Sequence, residues 1–402
     1  MSRILVISNG HGEDISGCLL AKRLIELGNH VDALPIVGHG NSYLRENIKI
    51  IDKTRLFNTG GLGYNSFKGR LDDLVNGQII YLLKKLFLTY SLRKKYDSFL
   101  AVGDIVPILF AWLCRKKYFL YLVAYSSHYE GKLVLPWPCK FCLKSNRLKK
   151  IYSRDQLTAN DLTYQLNRKV YFFGNPFMDI FDQCENKLNN SKIIFNLLPG
   201  SRLPEIENNF IIMLDLLENL SNYKIFNDIS FEFALVDSFS KNKIQKILSQ
   251  RNWQFQSNNE EVTIIIYSFK SIYISLIWNS FERTLSRSDV VISMSGTAAE
   301  QAVGLSKPVI QIDGSGPQFT RSFANAQRRL LGDYVFCATK YKNSDEKIQE
   351  TIDIIFRVMY LLKLDKNFLN CCEKIAKSRL GSIGASLQIS KDINDNLING
   401  KK

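Results

Sequence analysis

The chain lacks the features that mark several large classes of protein. Nowhere does it run to the 18 or so consecutive apolar residues that a membrane-crossing helix needs, and it does not open with the basic start and apolar core of a secretory signal. The expectation from these two absences is a cytoplasmic protein. Eight cysteines, at 18, 114, 139, 142, 184, 337, 371 and 372, lack the regular spacing of a disulfide framework. Cys139 and Cys142 have metal-ligand spacing, but no second Cys-x-x-Cys or His pair completes a zinc site. Neither metal nor cofactor is therefore expected, and the thiols read as reduced and at least half-buried. No helix-turn-helix, zinc-finger or RNA-recognition signature is present, which argues against a nucleic-acid partner. Internal repeats are absent, and compositional bias is limited to mild Asn and Lys enrichment, notably over 186–192.

Acidic residues are scarce in one half of the chain. Residues 1–195 hold 28 Lys and Arg against 16 Asp and Glu, while the remainder is nearly balanced at 25 against 22. The basic clusters Lys84-Lys85, Arg93-Lys94-Lys95, Arg115-Lys116-Lys117 and Lys149-Lys150 adjoin apolar stretches such as 79–83 and 86–88. That pattern suits an anionic membrane surface or a phosphorylated lipid, and also a plainly solvated basic face. With 402 residues and 46% hydrophobic content, the chain is long enough for two domains with separate cores.

What is present is a series of apolar strands that break into small-residue turns. Residues 193–198 read as a buried strand ending in Pro199-Gly200-Ser201-Arg202, with a helix opening near Pro204. Backbone N–H groups at such a helix start, with Ser201 and Arg202 beside them, form an anion site, although the segment also reads as an ordinary turn. A second turn of this kind follows the strand at 289–294: Ser295-Gly296-Thr297, then Glu300 and Gln301 at the head of an apolar helix. Two such turns can lie side by side at the carboxyl edge of a parallel sheet, where one holds phosphates and the other, through Glu300, accepts hydrogen bonds from a ribose.

The first half opens with a βαβ unit: a strand at 3–8, the Gly-rich loop Asn9-Gly10-His11-Gly12, a helix over 15–27 stopping at Gly28, and a strand at 31–37. The loop lacks the full dinucleotide fingerprint, so NAD is weakly supported. Asn9, Gly10 and Gly12 read as facing an acceptor, or as a tight turn. Thr59–Gly63 begins a connection, and 71–96 reads as a helical region with basic punctuation, either a core helix or a membrane-facing one. Asp104 ends the strand at 99–102 and stands either as a catalytic acid or as the cap of the helix at 108–113. Further strands are expected at 118–123 and 169–173, and in the second half near 231–236, 262–266 and 308–312.

Taken together, Leu198-Pro-Gly-Ser-Arg202 with Glu205, Ser295-Gly-Thr297 with Glu300, and Gly174-Asn-Pro176 with Asp179 resemble the signatures of lipid-A-disaccharide synthases. Gly314-Ser-Gly-Pro-Gln318 and Phe323-Ala-Asn-Ala-Gln327 are similar to a related, synthase-like subgroup. The resemblance spans residues 2 to about 385. It implies an α/β protein of GT-B class, two Rossmann-like domains with parallel sheets facing a cleft: an acceptor and membrane-facing domain at 1–176, a nucleotide-sugar domain at 177–370, and a C-terminal helix at 371–402 packing back on the first. It further implies an inverting glycosyltransferase, peripheral on the inner face of the plasma membrane, that passes a glucosamine-type sugar from a UDP-sugar donor to a lipid acceptor without a metal. Asp104 would be the base, with His11 and Glu13 as competitors; Gly200, Ser201, Arg202, Glu205, Ser295, Gly296, Thr297, Glu300, Gln301 and Gln318 would hold the nucleotide sugar. Two segments depart from the synthase pattern, Asn9–Gly17 and Tyr125–Glu130, both in the acceptor half. A UDP-N-acetylglucosamine 2-epimerase shares the fold and is the alternative enzyme; a non-catalytic nucleotide-sugar-binding protein at the membrane is the alternative of another class.

Overall fold

A computed structural model describes residues 1–52, 54–55, 78–182, 192–223, 229–259, 264–314 and 320–399. The chain forms two compact units, Met1–Asp179 with Leu380–Lys402, and Ile180–Arg379. The crossings therefore fall at 179/180 and 379/380, where the sequence reading placed them at 176/177 and 370/371.

The first unit runs β1 (Arg3–Ser8), α1 (His11–Glu26), β2 (His30–Pro35), α2 (Asn41–Arg45), α3 (Gln78–Leu92), β3 (Ser98–Val102), α4 (Ile105–Leu113), β4 (Lys117–Leu122), α5 (Ser127–Glu130), α6 (Trp137–Leu143), β5 (Leu148–Ser153) and α7 (Gln156–Leu166). Its five strands are parallel in the order β2-β1-β3-β4-β5. They are apolar on both faces because helices cover both, as a parallel sheet requires. Strand order reverses between β1 and β3, so the carboxyl ends of these two strands flank the topological switch point.

One expectation is corrected in this unit, and one strand was missed. Residues 169–173 form no strand, only a single bridge from Tyr171 to Tyr152. The fifth strand is instead β5, which sequence reading missed because Lys149 and Lys150 look like a surface cluster. Lys150 tolerates its place by lying over the Tyr171 ring at 4.1 Å and pairing with Asp392 at 3.3 Å.

The second unit runs β6 (Ile193–Leu198), α8 (Glu205–Leu220), β7 (Ile229–Leu235), α9 (Lys241–Gln250), β8 (Gln254–Asn259), β9 (Ile264–Phe269), β10 (Ile272–Trp278), α10 (Phe281–Arg287), β11 (Val290–Ser293), α11 (Gly296–Gly304), β12 (Val309–Gln311), α12 (Arg321–Leu331), β13 (Val335–Cys337), α13 (Ser344–Leu364) and α14 (Phe368–Arg379). Its sheet has the order β13-β12-β11-β6-β7-β10-β9-β8, with β8 and β9 antiparallel at one edge. The six parallel strands wind outward from β6 through β7 to β10, then return to β11 on the other side of β6. The switch point is thus between β6 and β11.

The last helix, α15 (Ala385–Asn399), belongs to the first unit and packs on α1. Its entry explains the Gly174-Asn-Pro signature. A Cβ on Gly174 would lie 2.9 Å from the Ser382 carbonyl, and one on Gly381 only 2.3 Å from the Gly174 Cα. Asn175 N–H donates to the Leu380 carbonyl at 2.7 Å, and Asp179 accepts from the amides of Gly384 and Ser386 at 2.7 and 2.8 Å. That signature anchors the returning chain.

Candidate functional site

Both switch points carry the residues singled out in the sequence. In the second unit, β6 and β11 pair in parallel register with Leu198 opposite Ser293, and the Met294 amide donates to the Leu198 carbonyl at 3.0 Å. The two turns therefore leave adjacent strands side by side, as expected. Gly200, at φ 107°, takes a conformation that glycine adopts without strain, and Asn209 of α8 pins the turn by donating to the Pro199 carbonyl at 2.8 Å. In the second turn Ser293 Oγ accepts from the Ser295 amide at 3.1 Å and donates to the Ser295 carbonyl at 2.9 Å.

The heads of α8 and α11 share a further property. Helices α4, α7, α12 and α13 are capped by their own side chains, from Asp104, Asp155, Thr320 and Asn343. Neither Pro204 before α8 nor Ser295 before α11 supplies such a cap, and none is supplied at α1, α2, α6, α9 or α10 either; what sets α8 and α11 apart is that they follow neighbouring strands at the switch point. The first backbone bond of α11, Ala299 N–H to the Ser295 carbonyl, leaves the amides of Gly296, Thr297 and Ala298 ahead of it. At two uncapped helix starts on neighbouring strands, amides and helix dipoles both favour negative charge.

Around this edge Ser201, Arg202 and Thr297 are exposed, while Glu205, Ser295, Gly296 and Glu300 are half-buried. Gln301 is buried within α11. Gln318 lies outside the described residues, as do Thr59–Gly63 and residues 71–77 of the expected helical region.

In the first unit the loop after β1 and the turn after β3 meet. Asn9 Nδ2 donates to both Asp104 oxygens at 3.2 Å, and the Asn9 amide donates to Glu13 Oε2 at 2.8 Å. Asp104 also accepts from the Val106 amide at 2.9 Å, so it does cap α4. Burial raises the pKa of Asp104, and burial followed by the Asp104 charge raises that of Glu13 well above the carboxylate range. Beneath them Asp14 accepts from Ser8 Oγ at 2.6 Å, and Ser8 Oγ lies 2.9 Å from the Tyr43 hydroxyl. Burial pushes Asp14 to about 7. Sequence reading missed Asp14 and Tyr43; Asp14 was legible as a second acid in the first turn of α1, whereas Tyr43 is brought in by α2 from a distance. Gly10, at φ 144°, precedes α1 without offering a side-chain cap, and Gly12 is exposed. His11 opens α1. The structure thus gathers Asn9, Glu13 and Asp104 into one polar cluster at the end of β1 and β3.

Cys139 and Cys142 are buried free thiols in α6, pushed up to about 12 and about 11 by burial, which makes them poor nucleophiles. Among the described residues no group of three or more His, Cys, Asp or Glu could hold a metal ion, and no helix is long and apolar enough to cross a membrane.

No family model and no curated protein matches the sequence. Solved structures do match across the whole chain. UDP-GlcNAc 2-epimerase from Neisseria meningitidis, solved with UDP-GlcNAc bound, is 17% identical, covering 99% of this chain and 100% of that one with a TM-score of 0.54. MurG from Acinetobacter baumannii is 12% identical over 98% and 100%, with a TM-score of 0.56. A glycosyltransferase from Rickettsia africae is 14% identical over 99% and 98%, with a TM-score of 0.52. At these identities the likeness is one of architecture, and with the two Rossmann-like sheets it establishes the fold: α/β, of the GT-B class.

Proposed function

We propose that the protein is an inverting glycosyltransferase of the lipid-A-disaccharide-synthase-like kind, moving a glucosamine-type sugar from a UDP-sugar to a lipid acceptor. The observation that carries this reading is the pair of uncapped, small-residue helix starts on β6 and β11 at the switch point of the second unit. There the amides near Gly200, Ser201, Gly296 and Thr297, with Arg202, would hold the diphosphate as it departs, and Glu300 the ribose. Asp104 would take the proton of the acceptor hydroxyl, its pKa already raised by burial. Glu13, held by the Asn9 amide in the same cluster, and His11 are the competitors for that role.

A lipid acceptor and a peripheral place on the cytoplasmic face of an anionic membrane form part of the proposal. Helix α3 turns Leu82 and Leu86 toward the core but leaves Ile79, Ile80, Leu83 and Phe87 exposed, and α6 exposes Trp137 and Phe141. Both helices pack on α4. Between residues 78 and 153, the segment that carries both helices, the chain has 14 Lys and Arg against 3 Asp and Glu.

Calorimetry with UDP, UDP-N-acetylglucosamine and NADH tests the donor assignment. UDP should bind, and Arg202→Ala should weaken it by about 1.5–3 kcal/mol, the size of a charge-assisted hydrogen bond. Binding of NADH with no response to UDP would remove the reading. The second reading, an epimerase, is favoured by the epimerases among the structural neighbours. Incubating the protein with UDP-N-acetylglucosamine in deuterated water separates the two: exchange at the sugar's C2 marks an epimerase, and its absence together with transfer to a lipid marks the transferase.

A further inference from the structure

Asn9, the first residue after β1, bonds to two acids at once. Its backbone N–H donates to Glu13 Oε2 at 2.8 Å, and its side-chain Nδ2 lies 3.2 Å from each oxygen of Asp104, across the switch point at the end of β3. An ionised carboxylate only accepts hydrogen bonds, so an amide that meets both of its oxygens presents Nδ2 and not Oδ1. With the amide turned over, Oδ1 would need a proton on Asp104, and the two senses therefore move its titration in opposite directions. Asp104 is 7% exposed, and burial raises its pKa. Donated hydrogen bonds oppose that, from the Val106 N–H at 2.9 Å, within the helix that Asp104 itself caps, and from the Asn9 side chain, which arrives from another element. Facing Asp104 from neighbouring helices are Glu13 of α1, whose carboxyl lies against Gly103, and Cys139 of α6, whose thiol is pushed up to about 12 and stays neutral. The charge on Asp104 raises the Glu13 pKa, so the two acids titrate as a coupled pair.

We propose that Asn9 is the positioning residue of the candidate base: its side-chain NH₂ holds the Asp104 carboxylate in place across the switch point and keeps Asp104, rather than Glu13, the ionised member of the pair. The inference rests on Asp104 as the base and adds the residue that readies it. Asn9 acts through Asp104, and its backbone N–H serves Glu13 whatever its side chain.

Carbon NMR of the full chain carrying ¹³C-labelled aspartate carboxyls tests it, with the Asp104 signal identified by its absence in Asp104→Asn. Asn9→Ala removes the side-chain donor and leaves the backbone N–H on Glu13, so the titration midpoint of Asp104 should rise by about one pH unit, an acid about tenfold weaker. Asn9→Asp keeps the shape but sets a carboxylate where the donor stood; it should raise the midpoint further, and it decides the matter if the alanine variant does not fold. A midpoint that stays in place overturns the proposal, as does one that falls in Asn9→Ala, the result expected if Oδ1 faces a protonated Asp104. Neither result touches the base assignment, because the titration needs no turnover. Full turnover in Asp104→Asn removes the base and with it the role of Asn9.

Discussion

The Glu13 carboxylate lies directly against the Cα of Gly103: a Cβ built on that glycine would stand 2.2 Å from Oε2. The two residues belong to different turns, one after β1 and one after β3, and their contact closes the switch point of the first unit. Gly103 also has φ 130°, a region side chains rarely adopt. Gly103→Ala should therefore destabilise by about 1–2 kcal/mol, chiefly through backbone strain, while the end of the flexible Glu13 side chain has to shift. Chemical denaturation measures it, and a loss below about 0.5 kcal/mol would show that Glu13 moves aside at little cost.

Asp104 both caps α4 and stands as the candidate base, and two substitutions separate these roles. Asparagine caps a helix about as well as aspartate, so Asp104→Asn should keep the melting temperature and UDP binding while turnover falls by roughly 10²–10⁴. Asp104→Ala should lose the same turnover and about 1 kcal/mol of stability besides. Full turnover in the Asn variant would move the role of base to His11 or Glu13.

Asp14 makes stability depend on pH in a direction unusual for a carboxylate. Its pKa in the folded chain is about 7 against 3.8 for the ordinary group, so the folded state holds a proton that the unfolded state releases between those values. Stability is fully present below about pH 4 as far as this group is concerned, and falls as pH rises toward 7. The loss is on the order of 4 kcal/mol. Glu13 acts in the same direction. Asp14→Asn should flatten the decline between pH 5 and 7.5 in urea titrations; an identical slope in parent and variant would place the Asp14 pKa near its ordinary value.

Membrane association should depend on apolar residues as well as charge. Phe87 is 74% exposed and Trp137 81%. Flotation with phosphatidylglycerol vesicles should recover the parent protein at low salt and lose part of it at high salt, since surface attraction is screened. Phe87→Ser with Trp137→Ser should lower recovery at both salt levels. Equal recovery of parent and double variant, or equal binding to neutral vesicles, would count against this face.

Much of the edge at the second unit's switch point was legible because parallel strands buried on both faces are continuous apolar runs, and small-residue turns punctuate them. The strand at 193–198 and the two turns with Gly200 and Gly296 could be read in this way. β5 could not, since Lys149 and Lys150 conceal a strand whose charges are accommodated by Tyr171 and Asp392. Nor could β8, whose six residues are all exposed at the sheet edge and show no apolar pattern.

The sequence by itself determined the local events: where an apolar run stops, where glycine permits a turn, and that a helix follows the strand at 99–102. Those depend on residues within a few positions of one another. Only the tertiary structure decided that β11 lies against β6 and β3 against β1, because strand order is set by how helices cover both faces of a sheet and not by any one segment. From that order come the adjacency of the two uncapped helix starts, the contact of Glu13 with Gly103, and the bonds from Asn9 to Asp104, each joining residues that the chain keeps far apart.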